Sequence, residues 1–196
     1  APRRLQAPQQ LLPPADAAPI VGVTRFVSPP FLWFYLYFGG AVAAFAAAWR
    51  VLDPHPWFNW SVLGSALIIF VLYFMVEVSV TINDWYGSYF DLIQKALAPP
   101  GAVGLDEYFG HLITFGHVAG TFVLIAVALD WFIKHYIFRW RTAMNDFYVG
   151  HWSTARHIEW ASQRVQEDTM RFARLMEDLG VNFMQSVLTL LAFLPI

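Results

Sequence analysis

The chain has 196 residues and no cysteine, so neither a disulfide framework nor a thiolate metal site is available to it. It is 58% hydrophobic and 18% aromatic, and only 13% of its residues are charged, about half the share typical of soluble domains, a composition that belongs in lipid. A net charge of −2 argues against a nucleic-acid partner.

Residues 1–28 are rich in Pro and Ala and lack the apolar core of a signal peptide, which predicts an irregular arm. A transmembrane domain is expected over 29–196. Its first span is "FLWFYLYFGGAVAAFAAAWRV", about 31–51, bounded by Pro29-Pro30 and by "DPHPW". The second, "SVLGSALIIFVLYFMVEVSVTIND", covers about 61–84, and the third about 111–133. Trp33, Trp57, Trp60, Trp85, Tyr86, Tyr108, Trp131 and Tyr136 flank these segments as interfacial rings do. A last apolar run, 181–196, falls short of the roughly 20 residues a span needs. It is read as a truncated fourth span, and the chain as a piece of something longer. The expected fold class is an all-α, multi-pass integral membrane protein.

Charge sets the orientation. Lys134, Arg139, Arg141, Arg156, Arg164, Arg171 and Arg174 gather in one stretch. The loop expected from Trp85 to Gly110 holds only Lys95 against Asp91, Asp106 and Glu107. The positive-inside rule places 134–178 in the cytoplasm. Arg50 agrees, whereas Arg3, Arg4 and Arg25 fall on the outer side.

Residues 140–180 form an expected cytoplasmic helical extension, too long to be wholly embedded, with a break between Gly150 and Arg156. Ile158, Ala161, Val165, Phe172, Met176 and Leu179 recur at helical spacing and predict its packed stripe. Its charged flanks admit a plain reading: Glu167–Arg171 and Arg164–Asp168 are spaced as i,i+4 pairs on an exposed helix.

Glu77 stands alone in "IIFVLYFMVEVSV". An ionised acid at mid-span costs about 2.5–3.5 kcal/mol on insertion scales. Such a group is held neutral or faces water, and either condition lets it change protonation with side. A structural acid hydrogen-bonded to a neighbouring helix is the other reading.

The long motifs "WSVLGSALIIFVLYFMVEVSVTINDWYGSYFDLIQKAL", "HYIFRWRTAMNDFYVGHW" and "RHIEWASQRVQEDTMRF" resemble the SbmA/BacA family of bacterial inner-membrane peptide transporters, over about 50–196. Looser parallels occur in the membrane domains of ABC transporters of the fatty-acyl, peroxisomal type. The resemblance implies a helical bundle like the membrane domain of an ABC exporter, without a nucleotide-binding domain. It implies a homodimer in the inner membrane that imports peptides, including antimicrobial and glycopeptide antibiotics, on the proton gradient. It also implies coupling through cavity glutamates, which match Glu77, Glu159, Glu167 and Glu177 here. Gln163, Arg164, Asp168 and Arg171 lie in the same motif. Members of the family are longer than this chain, with further spans before and after.

No Walker A loop can be matched, since the only lysines, Lys95 and Lys134, do not follow a glycine. Asn83, Asp84, Trp85 and Tyr86 read as interface anchors and a turn. Asp91 fits an amphipathic outer helix as well as a binding surface. Asp130 is spaced to pair with Lys134, and Arg139 and Arg141 to hold acidic lipid headgroups. His111/His117 and His151/His157 are each six apart and off a common helix face, so no metal and no cofactor is expected. No catalytic constellation is visible, so an enzyme is not expected. The membrane half of an ATP-driven transporter for lipid or acyl-CoA is the competing function.

Overall fold

A computed structural model describes residues 22–52, 54–98 and 103–194. Most of the arm expected over 1–28 and the end of the last apolar run lie outside these residues. The described residues form helices and turns, with no strand among them. A 3-10 turn at Val23–Val27 precedes α1 (Pro29–Leu52). A wide π turn at Asn59–Gly64 leads into α2 (Ser65–Leu97), followed by α3 (Leu105–Gly150). Short α4 (Trp152–Ala155) precedes α5 (Ala161–Leu175), which passes through a second π turn, Met176–Gly180, into α6 (Val181–Phe193). Among the described residues, three helices are long and apolar enough to cross a membrane: α1, α2 with its leading turn, and α3.

The helix ends differ from the hydropathy boundaries. The outer loop expected from Trp85 to Gly110 is mostly helix, because α2 runs on to Leu97 and α3 starts at Leu105. The turn expected at 83–86 is therefore absent. Hydropathy marks where lipid ends, whereas a helix ends where the backbone cannot continue. Gly87 alone does not stop α2; Pro99-Pro100 follow its last turn. At the other end of α3 the helix breaks at His151, whose backbone N–H still bonds to the carbonyls of Phe147 and Tyr148. That break falls within the expected Gly150–Arg156 window, and the next long helix starts at Ala161. At 46 residues, α3 alone is about 69 Å long, more than twice the roughly 30 Å hydrocarbon core.

The chain divides into two compact units. Among the described residues, one comprises 22–45, 81–98 and 103–120. In it Arg25 forms an ion pair with Asp84, both side chains being largely withdrawn from solvent. The pairing cancels the charge of Arg25 locally. The Tyr35 hydroxyl donates to the Phe26 carbonyl at 3.1 Å, and the Phe26 and Phe31 rings meet edge-on. Trp85 is not an exposed belt residue. It is 5% exposed, donates through Nε1 to the His111 carbonyl at 2.9 Å, and packs against Tyr89 and Phe115. Trp33 and Tyr86, by contrast, are exposed as interfacial rings are.

The second unit comprises, among the described residues, 46–52, 54–80 and 121–194. Its core joins Leu72 and Met75 of α2, Leu129, Ile133 and Ile137 of α3, and Ala173 of α5. Gly64 lies flat under the Tyr136 ring; a Cβ there would stand 2.9 Å from two ring carbons. The Tyr136 hydroxyl and Ser65 Oγ share a hydrogen bond at 2.7 Å, which fixes that ring. Trp60 sits under the Arg139 guanidinium, 5.2 Å from ring centre to Cζ, a cation–π contact that holds an expected headgroup-binding arginine in place.

The packed line on α5 differs from the expected one. Ala161, Val165, Thr169 and Ala173, at strict i+4 steps, are buried or half-buried. Ile158, Phe172, Met176 and Leu179 are exposed in the single chain. The pattern reading favours large apolar side chains, but close helix approach selects small ones. Phe172 still meets Trp140 edge-on, at 5.6 Å between ring centres.

Candidate functional site

Glu77 lies on α2 between Val76 and Val78, both essentially buried, and is itself half-buried. Apolar neighbours before and after it along the helix leave it the one carboxylate of that stretch. Glu177 is also half-buried. It occupies the π turn between α5 and α6, one helical step beyond Ala173 and one before Val181. It lies within electrostatic reach of Lys134. Wide turns of this kind arise where one extra residue enters a helix, and they recur at functional sites.

Glu167 and Glu159 are exposed. Glu167 points away from the packed line of α5, and accepts a hydrogen bond from Gln163 Nε2 at 3.1 Å. The surface pairs read from spacing do not form. Neither Glu167–Arg171 nor Arg164–Asp168 is an ion pair, whereas Lys134 does reach Asp130, at 2.6 Å. Glu159 precedes Trp160, whose φ of 64° is left-handed. A bulky residue in that region costs about 1–3 kcal/mol and persists only where its surroundings hold it. The turn 156–160 thus aims α5 back along α3 at an energetic cost.

Two clefts flank the contact between the end of α3 and α5. One, of about 420 Å³, holds Arg164 and Asp168 beside Met144, Tyr148, Ala155 and Phe172. The other, of about 730 Å³, is lined by Phe138, Arg141, Thr142, Asn145, Trp152 and Gln166, among others. Arg164 and Asp168 thus line one cleft without forming an ion pair; Glu77, Glu159, Glu167 and Glu177 are not members of either cleft. Sequence reasoning missed the second cleft. Arg141 and Asn145 at i,i+4 on α3 were the available signal, but only the reversal at 156–160 sets Gln166 opposite them.

Chemically, these clefts offer cations, one carboxylate, amides and hydroxyls against apolar walls. The profile of the SbmA/BacA-like family matches residues 54–196. Over 145 residues the chain is 26% identical to the Inner membrane ABC transporter ATP-binding protein YddA of Escherichia coli (strain K12), covering 68% of this chain and 25% of that protein. The chain thus spans about a quarter of the length of that curated relative.

Proposed function

The chain belongs to the SbmA/BacA-like family, and from that premise we propose that it is part of a proton-driven importer of peptides, antimicrobial and glycopeptide antibiotics among them, in a bacterial inner membrane. The observation that carries the proton half is Glu77, a half-buried acid set between buried valines in an apolar helix. Intramembrane ionisable groups are functional by default. Glu159, Glu167 and Glu177 are the further candidates for coupling, and Arg164 with Asp168 for contact with a charged peptide. We take the working unit to be a homodimer embedded in lipid, whose second copy covers the apolar flanks that a single chain leaves open, such as Leu36, Tyr37 and Leu124.

A second reading rests on the relative named as an ATP-binding ABC transporter protein: the membrane part of an ATP-driven transporter for lipid or acyl-CoA. The two readings part on energy source. Uptake of a peptide antibiotic by cells carrying the complete protein should collapse when an uncoupler dissipates the proton gradient. Uptake that survives the uncoupler and stops on ATP depletion would favour the ATP-driven reading.

Glu167 gives a separable check. Its replacement by Gln keeps size and polarity and disturbs one exposed helix-surface contact, worth about 0.2–0.5 kcal/mol. The expected result is an unchanged melting temperature with impaired import. Full import at matched membrane expression would remove Glu167 from the coupling set.

A further inference from the structure

Four neutral polar side chains interrupt the apolar helix α6: Asn182, Gln185, Ser186 and Thr189. At 100° per residue they fall within about 100° of one another and form a single stripe. All four are exposed, and together with Leu190 they line a concavity of about 630 Å³. The rest of the helix divides cleanly into two other faces. Val181, Met184 and Leu188 pack on the core of their unit. Phe183, Leu191 and Leu194 are exposed and wholly apolar, as a lipid-facing side is. A helix needs only two faces to pack and to meet lipid. The third is polar, and hydrocarbon would not tolerate it.

We propose that this stripe binds the main chain of a transported peptide, a proposal that rests on the importer reading. Amide and hydroxyl groups both donate and accept, as each peptide unit does, apart from proline, which lacks the donor. They carry no charge, so they would hold a peptide whatever its side chains. From Asn182 to Thr189 the stripe rises about 10 Å, the length of about three residues of extended chain. Binding through main-chain hydrogen bonds supplies affinity that side-chain pockets elsewhere can then refine. Ser186 Oγ donates to the Asn182 carbonyl at 2.8 Å, which leaves its lone pairs to accept from a peptide N–H. Packing against a second copy is the competing occupant, because Asn, Gln, Ser and Thr also hydrogen-bond across membrane helices; the cross-linking arm of the test below separates the two.

The test uses the complete protein in proteoliposomes with an imposed pH gradient. One probe is a fluorescent peptide antibiotic; the other is the same peptide with its main-chain amides N-methylated. Wild-type protein should import the first and bind the second roughly tenfold more weakly, the effect of losing one or two hydrogen bonds. Gln185→Leu and Asn182→Leu should bind both peptides alike and weakly, and cross-link as dimers as wild type does. Phe183→Leu, on the lipid-facing side, should change nothing. Import of the parent peptide with no discrimination against the methylated one overturns the stripe and leaves the importer standing. Loss of dimer cross-linking in the Leu variants makes the stripe an interface between copies and overturns it too. A wild-type protein that imports neither peptide sinks both readings at once.

Discussion

Replacing Glu77 with Gln is expected to abolish peptide uptake while leaving the inserted protein intact. Gln matches Glu in size and keeps the capacity to hydrogen-bond, but it cannot carry a proton. The site is half-buried, with Val76 at 3% and Val78 at 0% exposure beside it. A charge at mid-span costs about 2.5–3.5 kcal/mol, and the amide escapes the need to hold a charge at all. The variant should therefore be as stable as wild type or more so. A purely structural acid gives the opposite pattern: stability falls with the lost partner, and the transport that remains tracks the folded fraction. The deciding measurement is antibiotic sensitivity of cells at matched membrane expression, beside a thermal melt of the purified protein in detergent. Full sensitivity in the Gln variant would rule Glu77 out as an essential proton carrier.

What the sequence made legible follows from which physical signals are local. The apolar cores of α1, α2 and α3 stand out because about 20 apolar residues in a row match the thickness of a bilayer's hydrocarbon core. The i,i+4 pair of Lys134 with Asp130 was legible because both partners lie on one turn of one helix. The pairs expected for Glu167 and Arg164 had the same spacing and do not form; Glu167 accepts from Gln163 instead, and spacing alone does not separate these pairs from the equally exposed Lys134–Asp130 pair. The path of α2 to Leu97 was hidden because polar residues replace apolar ones at Asn83 without any residue that breaks a helix. Trp85 was misplaced for a non-local reason: its partner, the His111 carbonyl, lies on another helix. The polar stripe of α6 escaped notice for a different cause. Asn182, Gln185, Ser186 and Thr189 are diluted among leucines in a window average, and only their common face makes them a group.

The packed line of α5 carries the largest stability effect expected here. Ala173 is 0% exposed and sits among Leu72, Met75, Leu129, Ile133 and Ile137. Its methyl group lets α5 approach the other helices of its unit closely, where a larger side chain has no space. Ala173→Gly removes little volume and should cost about 1 kcal/mol, the helix-propensity difference. Ala173→Leu must force the packing apart, at about 1–3 kcal/mol. Ala173→Asp would bury an unpaired carboxylate and should prevent α5 from docking at all. The order Gly, Leu, Asp in rising damage is the expected result of thermal melts in detergent. Leu melting with wild type would mean that α5 is not held this closely. Transport should follow the same order, although no acid is touched. Glu177 lies one helical step along the same line, and the turn at 156–160 that aims α5 is already strained at Trp160. A helix pushed off its seat carries Glu177 away from Lys134, and opens the cleft that holds Arg164 and Asp168. The exposed Glu167, by contrast, can be exchanged for Gln without moving anything. Position 173 thus separates the scaffold from the chemistry. Ala173→Leu should lose import and melting temperature together, whereas Glu77→Gln should lose import alone.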